Sequence, residues 1–147
     1  GDKLENGDIK PWSDFTPEQW LNESVFAVKQ DVKLLDEFIL PKGVESRSDA
    51  MTKHNISAED VDFFLPHVSS YFFVEGLKKG LDEKGIVLTE EKWFMNLLRV
   101  GNVGSASIYI AVEELMNSGK LKKGDKILLS VPESGRFSFA YAYLTVC

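Results

Sequence analysis

The sequence is poor in the residues that build redox and metal centres. Its single cysteine, Cys147, has no second thiol to pair with, so no disulfide forms within the chain. That usage fits a reducing, cytoplasmic compartment. Only two histidines occur, His54 and His67, and neither sits in a His/Cys/carboxylate pattern with metal-ligand spacing. G-x-G-x-x-G and P-loop signatures are both missing, so neither a metal nor a cofactor is expected. No apolar run approaches the roughly 18 residues of a membrane span. The opening Gly1-Asp2-Lys3-Leu4-Glu5-Asn6-Gly7-Asp8 lacks the apolar stretch of a secretory signal. Basic charge is short as well: 17 Lys and Arg against 23 Asp and Glu give a net charge of -6. Nucleic-acid binding rests on a basic surplus, so neither nucleic acid nor membrane is an expected partner. The chain opens on Gly1 rather than Met, as expected of a processed or truncated polypeptide.

What remains is material for one globular domain. The 147 residues are 44% hydrophobic and 12% aromatic, enough for an ordinary soluble core. Residues 1–15 are polar and turn-rich and read as an irregular leader; the domain proper is expected over 16–147. Thr16-Pro17-Glu18-Gln19 is a helix start with an N-cap, a proline at N1 and a capping-box glutamine. Leu21, Val25, Val28, Val32, Leu35 and Ile39 then recur at alternating spacings of about three and four, predicting one long amphipathic helix. Pro41-Lys42-Gly43 is expected to stop it, with a further helical segment over the polar residues 44–54. Val61 to Pro66 reads as a buried strand, and a helix follows from Ser69 or Ser70 to a C′ glycine at Gly85. Gly76 and Gly80 inside that helix predict close approach of a neighbour. Trp93–Val100 reads as a strand, Ser105–Ser118 as a helix closed by Gly119, and Ile127–Val131 and Phe137–Val146 as a hairpin across 132–136. The order α, β, α, β, α, β, β predicts an α/β domain. Its sheet is mixed and mostly parallel, covered by helices, with a C-terminal antiparallel hairpin.

Three loops at strand ends hold the candidate chemistry, since ligands of open α/β sheets bind beyond the carboxyl ends of strands. His67 ends the first strand; it is either a ligand-facing imidazole or a ring satisfied by backbone carbonyls. Asn102, between Gly101 and Val103-Gly104, is either an amide donor to a developing oxyanion or a residue chosen for a tight turn. The Val131–Arg136 loop either offers backbone N–H groups of Ser134 and Gly135 to an anion or is a plain hairpin turn. His54 reads as a solvated loop residue, and Glu113-Glu114 and the basic 120–126 connector as solvated faces. Cys147, with no neighbouring His and no following helix, is a poor nucleophile.

Taken together and in order, these segments carry a resemblance. Val61-Asp62-Phe63-Phe64-Leu65-Pro66-His67, Gly101-Asn102-Val103-Gly104-Ser105-Ala106-Ser107 and Gly124-Asp125-Lys126-Ile127-Leu128-Leu129 resemble the carboxyl-terminal half of the 3-oxoacyl-[acyl-carrier-protein] synthase III family, in the thiolase superfamily. The segment Val25-Phe26-Ala27-Val28 is similar to that family's helix before the histidine strand. The likeness runs over about residues 24–147. It implies a thiolase-like C-terminal domain of a condensing enzyme used in fatty acid or related lipid or polyketide synthesis. The nucleophilic cysteine would belong to an amino-terminal half that this chain lacks, so the chain alone is expected to be inactive.

By the same resemblance His67 and Asn102 are the two C-terminal members of a Cys-His-Asn triad. The Ser134-Gly135 turn stands where the family has a glycine-rich oxyanion loop. Implied partners are thioesters of acyl carrier protein or coenzyme A, the missing half, and a second copy in a homodimer. The chain departs from the family at His67-Val68-Ser69-Ser70, where His-Gln-Ala-Asn is common. Phe72 stands where a basic carrier-docking residue often follows, and Glu133 and Arg136 add charge to the turn. The alternative reading is a non-catalytic synthase-like subunit that pairs with an active partner.

Overall fold

The helix start at Thr16 is built as its sequence predicts. In the computed structural model, which describes residues 2–27 and 30–147, Thr16 Oγ1 accepts from Gln19 N at 3.3 Å and Gln19 Oε1 accepts from Thr16 N at 3.0 Å. This capping box opens α1, Pro17–Asn22. The expected long helix is not formed. Ser24 takes a left-handed backbone (φ 52°), which no helix interior accommodates, and the chain turns over 23–27. Val25 is buried while Leu21 and Val32 are exposed, so their regular spacing marks no common face; Val28 lies outside the described residues. Two compact units result, Gly1–Asp31 and Val32–Cys147. The first carries a minimal antiparallel pair, β1 (Asp2–Lys3) and β2 (Ile9–Lys10), and α1. Trp12, Trp20 and Phe26 gather there at ring separations of 5.6 to 6.1 Å, and Trp20 Nε1 donates to Trp12 O at 2.9 Å.

The second unit begins with α2, Val32–Lys53, which runs through Pro41. Pro41 and Glu37 both lie exposed on this helix, so the carbonyl that loses its intrahelical partner is left to water. Gly43 is needed for packing rather than for a stop: a Cβ there would stand 3.0 Å from Phe139 Cε1. Tertiary contact therefore overrides a local breaker signal.

A short loop leads into β3, Phe63–Pro66, and then α3, Phe72–Glu83, with Gly85 in the left-handed region (φ 75°) just past its end. The expected strand at Trp93–Val100 reduces to one parallel bridge, Trp93 to Phe64, with Phe94 N donating to Phe64 O at 2.9 Å. The chain then winds into α4, Leu97–Val100, tied to the next helix by Asn96 Nδ2 donating to Glu114 Oε2 at 2.9 Å and by an Arg99–Glu114 ion pair. Those side-chain ties explain why the apolar run leaves the sheet. Glu114 is accordingly half-buried and bonded rather than simply solvated. After α5, Ser107–Asn117, the chain forms β4 (Lys126–Glu133) and β5 (Ser138–Thr145).

The sheet order is β3-β4-β5, with β3 parallel to β4 (Phe64 opposite Leu128) and β4 antiparallel to β5 (Ser130 opposite Tyr141). Alternation along the strands serves two layers. Phe64 and Leu128 join Val44, Met51, Val74, Leu77 and Leu81 of α2 and α3, while Leu65 and Ile127 join Ile108, Ala111 and Leu115 of α5. The expected α/β class with a mixed sheet and C-terminal hairpin is thus observed, but the sheet is not mostly parallel, because losing the 93–100 strand leaves one parallel and one antiparallel pairing.

Both glycines of α3 meet α2. A Cβ on Gly76 would stand 2.6 Å from Leu40 Cδ1, and one on Gly80 2.8 Å from Val44 Cγ2. Leu40 is flexible and half-buried, whereas Val44 is β-branched and buried, so the two sites should respond differently. Gly80→Ala is expected to destabilise by about 1–2 kcal/mol, because overpacking outweighs the gain of about 1 kcal/mol in helix propensity. Gly76→Ala should be near neutral; urea unfolding midpoints of the two variants test the difference.

Candidate active site at the carboxyl end of β3

His67 is the first residue past β3. Its N–H donates to Ser130 O at 2.8 Å, which carries the parallel ladder one step beyond the strand and fixes where the side chain leaves the sheet. The ring is half-buried and lines a cleft of about 20 Å³ together with Phe94, Asn96, Leu97, Gly101 and Ser107. Among the described residues, the imidazole makes no hydrogen bond and no ion pair, so the satisfied-ring alternative is not what the fold builds. Burial lowers its pKa below the ordinary 6.5, which keeps the imidazole neutral at pH 7.

That shift predicts a direction for acid stability. A histidine whose folded pKa lies below its unfolded value leaves the unfolded state holding more protons, so stability is lost as pH falls below about 6.5. The His67 Cε1 resonance should therefore titrate with a midpoint below 6.5, and His67→Gln should flatten the acid-side loss of stability. A midpoint above 6.5 would contradict the burial argument.

Asn102 sits two elements away in sequence, in the turn between α4 and α5. Gly101 (φ 78°) and Gly104 (φ 65°) both need the left-handed region, which only glycine adopts without cost. Asn102 Oδ1 accepts from Gly104 N at 3.0 Å, and Val103 N donates to Ser107 Oγ at 3.1 Å. The turn reading of Asn102 is therefore present in the fold. It does not exclude a donor role, because pinning the amide oxygen leaves the NH₂ group as the donor end. Asn102 is exposed and does not line the His67 cleft; its neighbour Gly101 does.

The Ser134-Gly135 turn joins β4 to β5. Glu133 folds over it, accepting from Gly135 N at 2.7 Å, Arg136 N at 3.0 Å and Ser138 Oγ at 3.2 Å. The Gly135 N–H, then the Arg136 N–H and the Ser138 hydroxyl, hold the Glu133 carboxyl below the usual carboxylate range. The backbone donor expected at Gly135 is thus already given to a carboxylate of the chain itself. Arg136 contributes its backbone N–H to Glu133. The structure does not bring this turn into the His67 cleft.

Asn96 and Glu114, which fix the cleft's far wall, escaped the sequence reading because an Asn in an apolar run and a Glu on a helix carry no local sign of pairing. Arg47, buried in α2, was legible in principle: Leu40, Val44, Arg47 and Met51 share one helical stripe. Cys147 is exposed at the chain end, and no group of three or more metal-ligating side chains occurs among the described residues.

Comparison with known proteins bears on the family and the fold. The family described as 3-Oxoacyl-[acyl-carrier-protein (ACP)] synthase III C terminal matches residues 51–142. Beta-ketoacyl-[acyl-carrier-protein] synthase III of Clostridium beijerinckii is 33% identical over 100 residues, covering 68% of this chain and 29% of that protein. The Campylobacter curvus protein of the same name is 28% identical over 138 residues, 94% of this chain and 38% of its own length. The crystal structure of beta-ketoacyl-[acyl-carrier-protein] synthase III from Thermus thermophilus superposes with a TM-score of 0.67 at 25% identity, over 82% of this chain and 35% of that one. The chain therefore spans about a third of the length of the relatives it matches. A match that includes β3, His67, the Asn102 turn and most of the hairpin places this chain in the 3-oxoacyl-[acyl-carrier-protein] synthase III C-terminal family.

Proposed function

We propose that this chain is the C-terminal half of a decarboxylating condensing enzyme, acting on an acyl thioester and a malonyl thioester of acyl carrier protein or coenzyme A. The thiolase-like domain lies within residues 16–147 in this reading, and the acyl-bearing cysteine is supplied by residues outside the chain. The carbon–carbon bond to the malonyl carboxylate breaks, carbon dioxide leaves, and the electron pair passes into an enolate. The enolate carbon then attacks the acyl thioester carbon, and the cysteine sulfur departs as the thiolate. His67 and Asn102 are assigned to the enolate oxygen, where two fixed neutral donors lower the barrier without protonating the carbanion.

The observation that carries this reading is the His67 ring at the carboxyl end of β3: half-buried, held neutral, and without a hydrogen-bond partner among the described residues. Asn102 adds an amide whose oxygen is pinned by Gly104. The pathway is fatty acid or related lipid or polyketide synthesis in the cytoplasm, and the assembled enzyme is a homodimer. Incubation with acyl and malonyl thioesters tests the assignment. The chain alone should form no 3-oxoacyl product, while the protein completed by its amino-terminal half should. Turnover by the chain alone would contradict the division of labour.

A second reading, a non-catalytic synthase-like subunit, is favoured by two features. The His67 cleft is far too small for a thioester, and the Gly135 N–H is already committed to Glu133. If the completed protein binds a partner synthase but releases no carbon dioxide from malonyl thioester, this second reading stands.

A further inference from the structure

The other face of the sheet holds a buried cation, Arg47, that forms no ion pair among the described residues. Arg47, on α2, is 3% exposed. Its Nη2 donates to Ser130 Oγ at 2.5 Å, while Nε and Nη1 are buried without a hydrogen-bond partner among the described residues. Its guanidinium carbon lies 5.3 Å from the Phe64 ring centroid and 5.5 Å from that of Tyr141. Aromatic faces attract a cation but cannot accept its N–H bonds in the plane of the guanidinium. Burial pulls the Arg47 pKa down to about 10, so the group remains charged at neutral pH. Leaving such a charge uncompensated is costly, and a buried cation is normally met by an anion.

The room for an anion is adjacent. Arg47 lines a cavity of about 500 Å³ between the C-terminal half of α2 and the sheet, walled by Met51, Ile56, Leu128, Tyr141 and Tyr143. No carboxylate lines it; beside Arg47 its ionisable side chains are His54, Tyr141 and Tyr143. The volume is that of a small-molecule site, and its walls are apolar and aromatic. The two tyrosines have their hydroxyls engaged elsewhere, Tyr141 on Gly43 O and Tyr143 on Asp60 O, both at 3.2 Å. Their rings, rather than their hydroxyls, are therefore what they offer a ligand.

We propose that this cavity binds a monocarboxylate with an apolar or aryl body, its carboxylate pairing with the Arg47 guanidinium. Nε and Nη1 are closed off from the cavity, so pairing turns the guanidinium toward it, where its planar fork meets a carboxylate bidentately as lysine cannot. The ring and aliphatic walls take the apolar body. This site lies on the α2 side of the sheet, whereas the His67 cleft is on the α5 side, so the inference stands apart from the proposed condensation.

Phenylacetate and its neutral isostere phenylacetamide are suitable probes, titrated while the Arg47 Nε–H resonance and the heat of binding are followed. Phenylacetate should bind at least tenfold more tightly than the amide and shift the Arg47 Nε–H. Arg47→Met should stay folded and lose that preference, and Arg47→Lys should retain only part of it. Equal binding of acid and amide, or no binding of either, would overturn the proposal, as would an Arg47→Met variant that still prefers the acid. Should Arg47→Met fail to fold, the wild-type Nε–H response decides. The same carboxylate chemistry could be supplied by an Asp or Glu side chain of a longer natural polypeptide carrying this chain. In that polypeptide an Arg47 Nε–H already hydrogen-bonded and unresponsive to phenylacetate would overturn the free-ligand assignment.

Discussion

In the proposed condensing enzyme, completed by an amino-terminal half, His67→Ala and Asn102→Ala should each slow malonyl decarboxylation and overall condensation by about 10²–10³. That is the loss, about 2.7–4 kcal/mol, that follows removal of one donor from a preorganised oxyanion site. Formation of the acyl-enzyme should survive in both variants, because charge appears on the malonyl thioester oxygen only after carbon dioxide begins to leave. Mass spectrometry of the acylated protein, beside release of labelled carbon dioxide, separates the two half-reactions. A loss confined to acyl loading would move His67 to the cysteine. For wild type, decarboxylation should also fall away in acid with a midpoint displaced below the ordinary histidine value, because burial lowers the His67 pKa and only its protonation gives the enolate an acid instead of a neutral donor.

Phe64→Ala is expected to be the most damaging single core change, at about 3–5 kcal/mol. Phe64 is fully buried on β3, between Leu128 of β4 and the bridge to Trp93. Its ring takes Trp93 edge-on at 4.8 Å and faces the Arg47 guanidinium, so truncation opens a cavity among groups that cannot collapse into it. Against a total stability of about 5–15 kcal/mol, that loss removes a large fraction. Thermal or urea unfolding measures it. A cost below about 1 kcal/mol would mean that the α2–α3 layer is not held through this residue.

What could be read from the sequence follows from where local signals and tertiary demands agree. β3, β4 and β5 were legible because their apolar runs are short, bounded by turn residues and satisfied by simple alternation. The end of α3 at Gly85 and the close approach at Gly76 and Gly80 were legible because a glycine has few other reasons to occupy those positions. Pro41-Lys42-Gly43 misled because the proline faces solvent and the glycine answers to Phe139, nearly a hundred residues away along the chain. Trp93–Val100 misled for a related reason: Asn96 and Arg99 are committed to Glu114, which no window around the run contains. At the site, His67 was visible as a strand-end residue, whereas the Asn102 turn, which joins α4 to α5 rather than a strand to a helix, was visible from its glycines. The capture of the Gly135 N–H by Glu133 was not, since a turn glutamate reads equally well as a solvated charge.

The role given to His67 and Asn102 has a sharper consequence than either single loss. If both donate to one oxygen, they act as a unit, and removing the second costs little once the first is gone. Labelled carbon dioxide release from malonyl thioester, measured for the completed wild-type enzyme, His67→Ala, Asn102→Ala and the double variant, tests this directly. The double variant should be slowed by no more than about tenfold beyond the slower single, a coupling within the range found for residues sharing one partner. Losses that simply multiply across the four proteins would place the two residues on different atoms and contradict the shared enolate site.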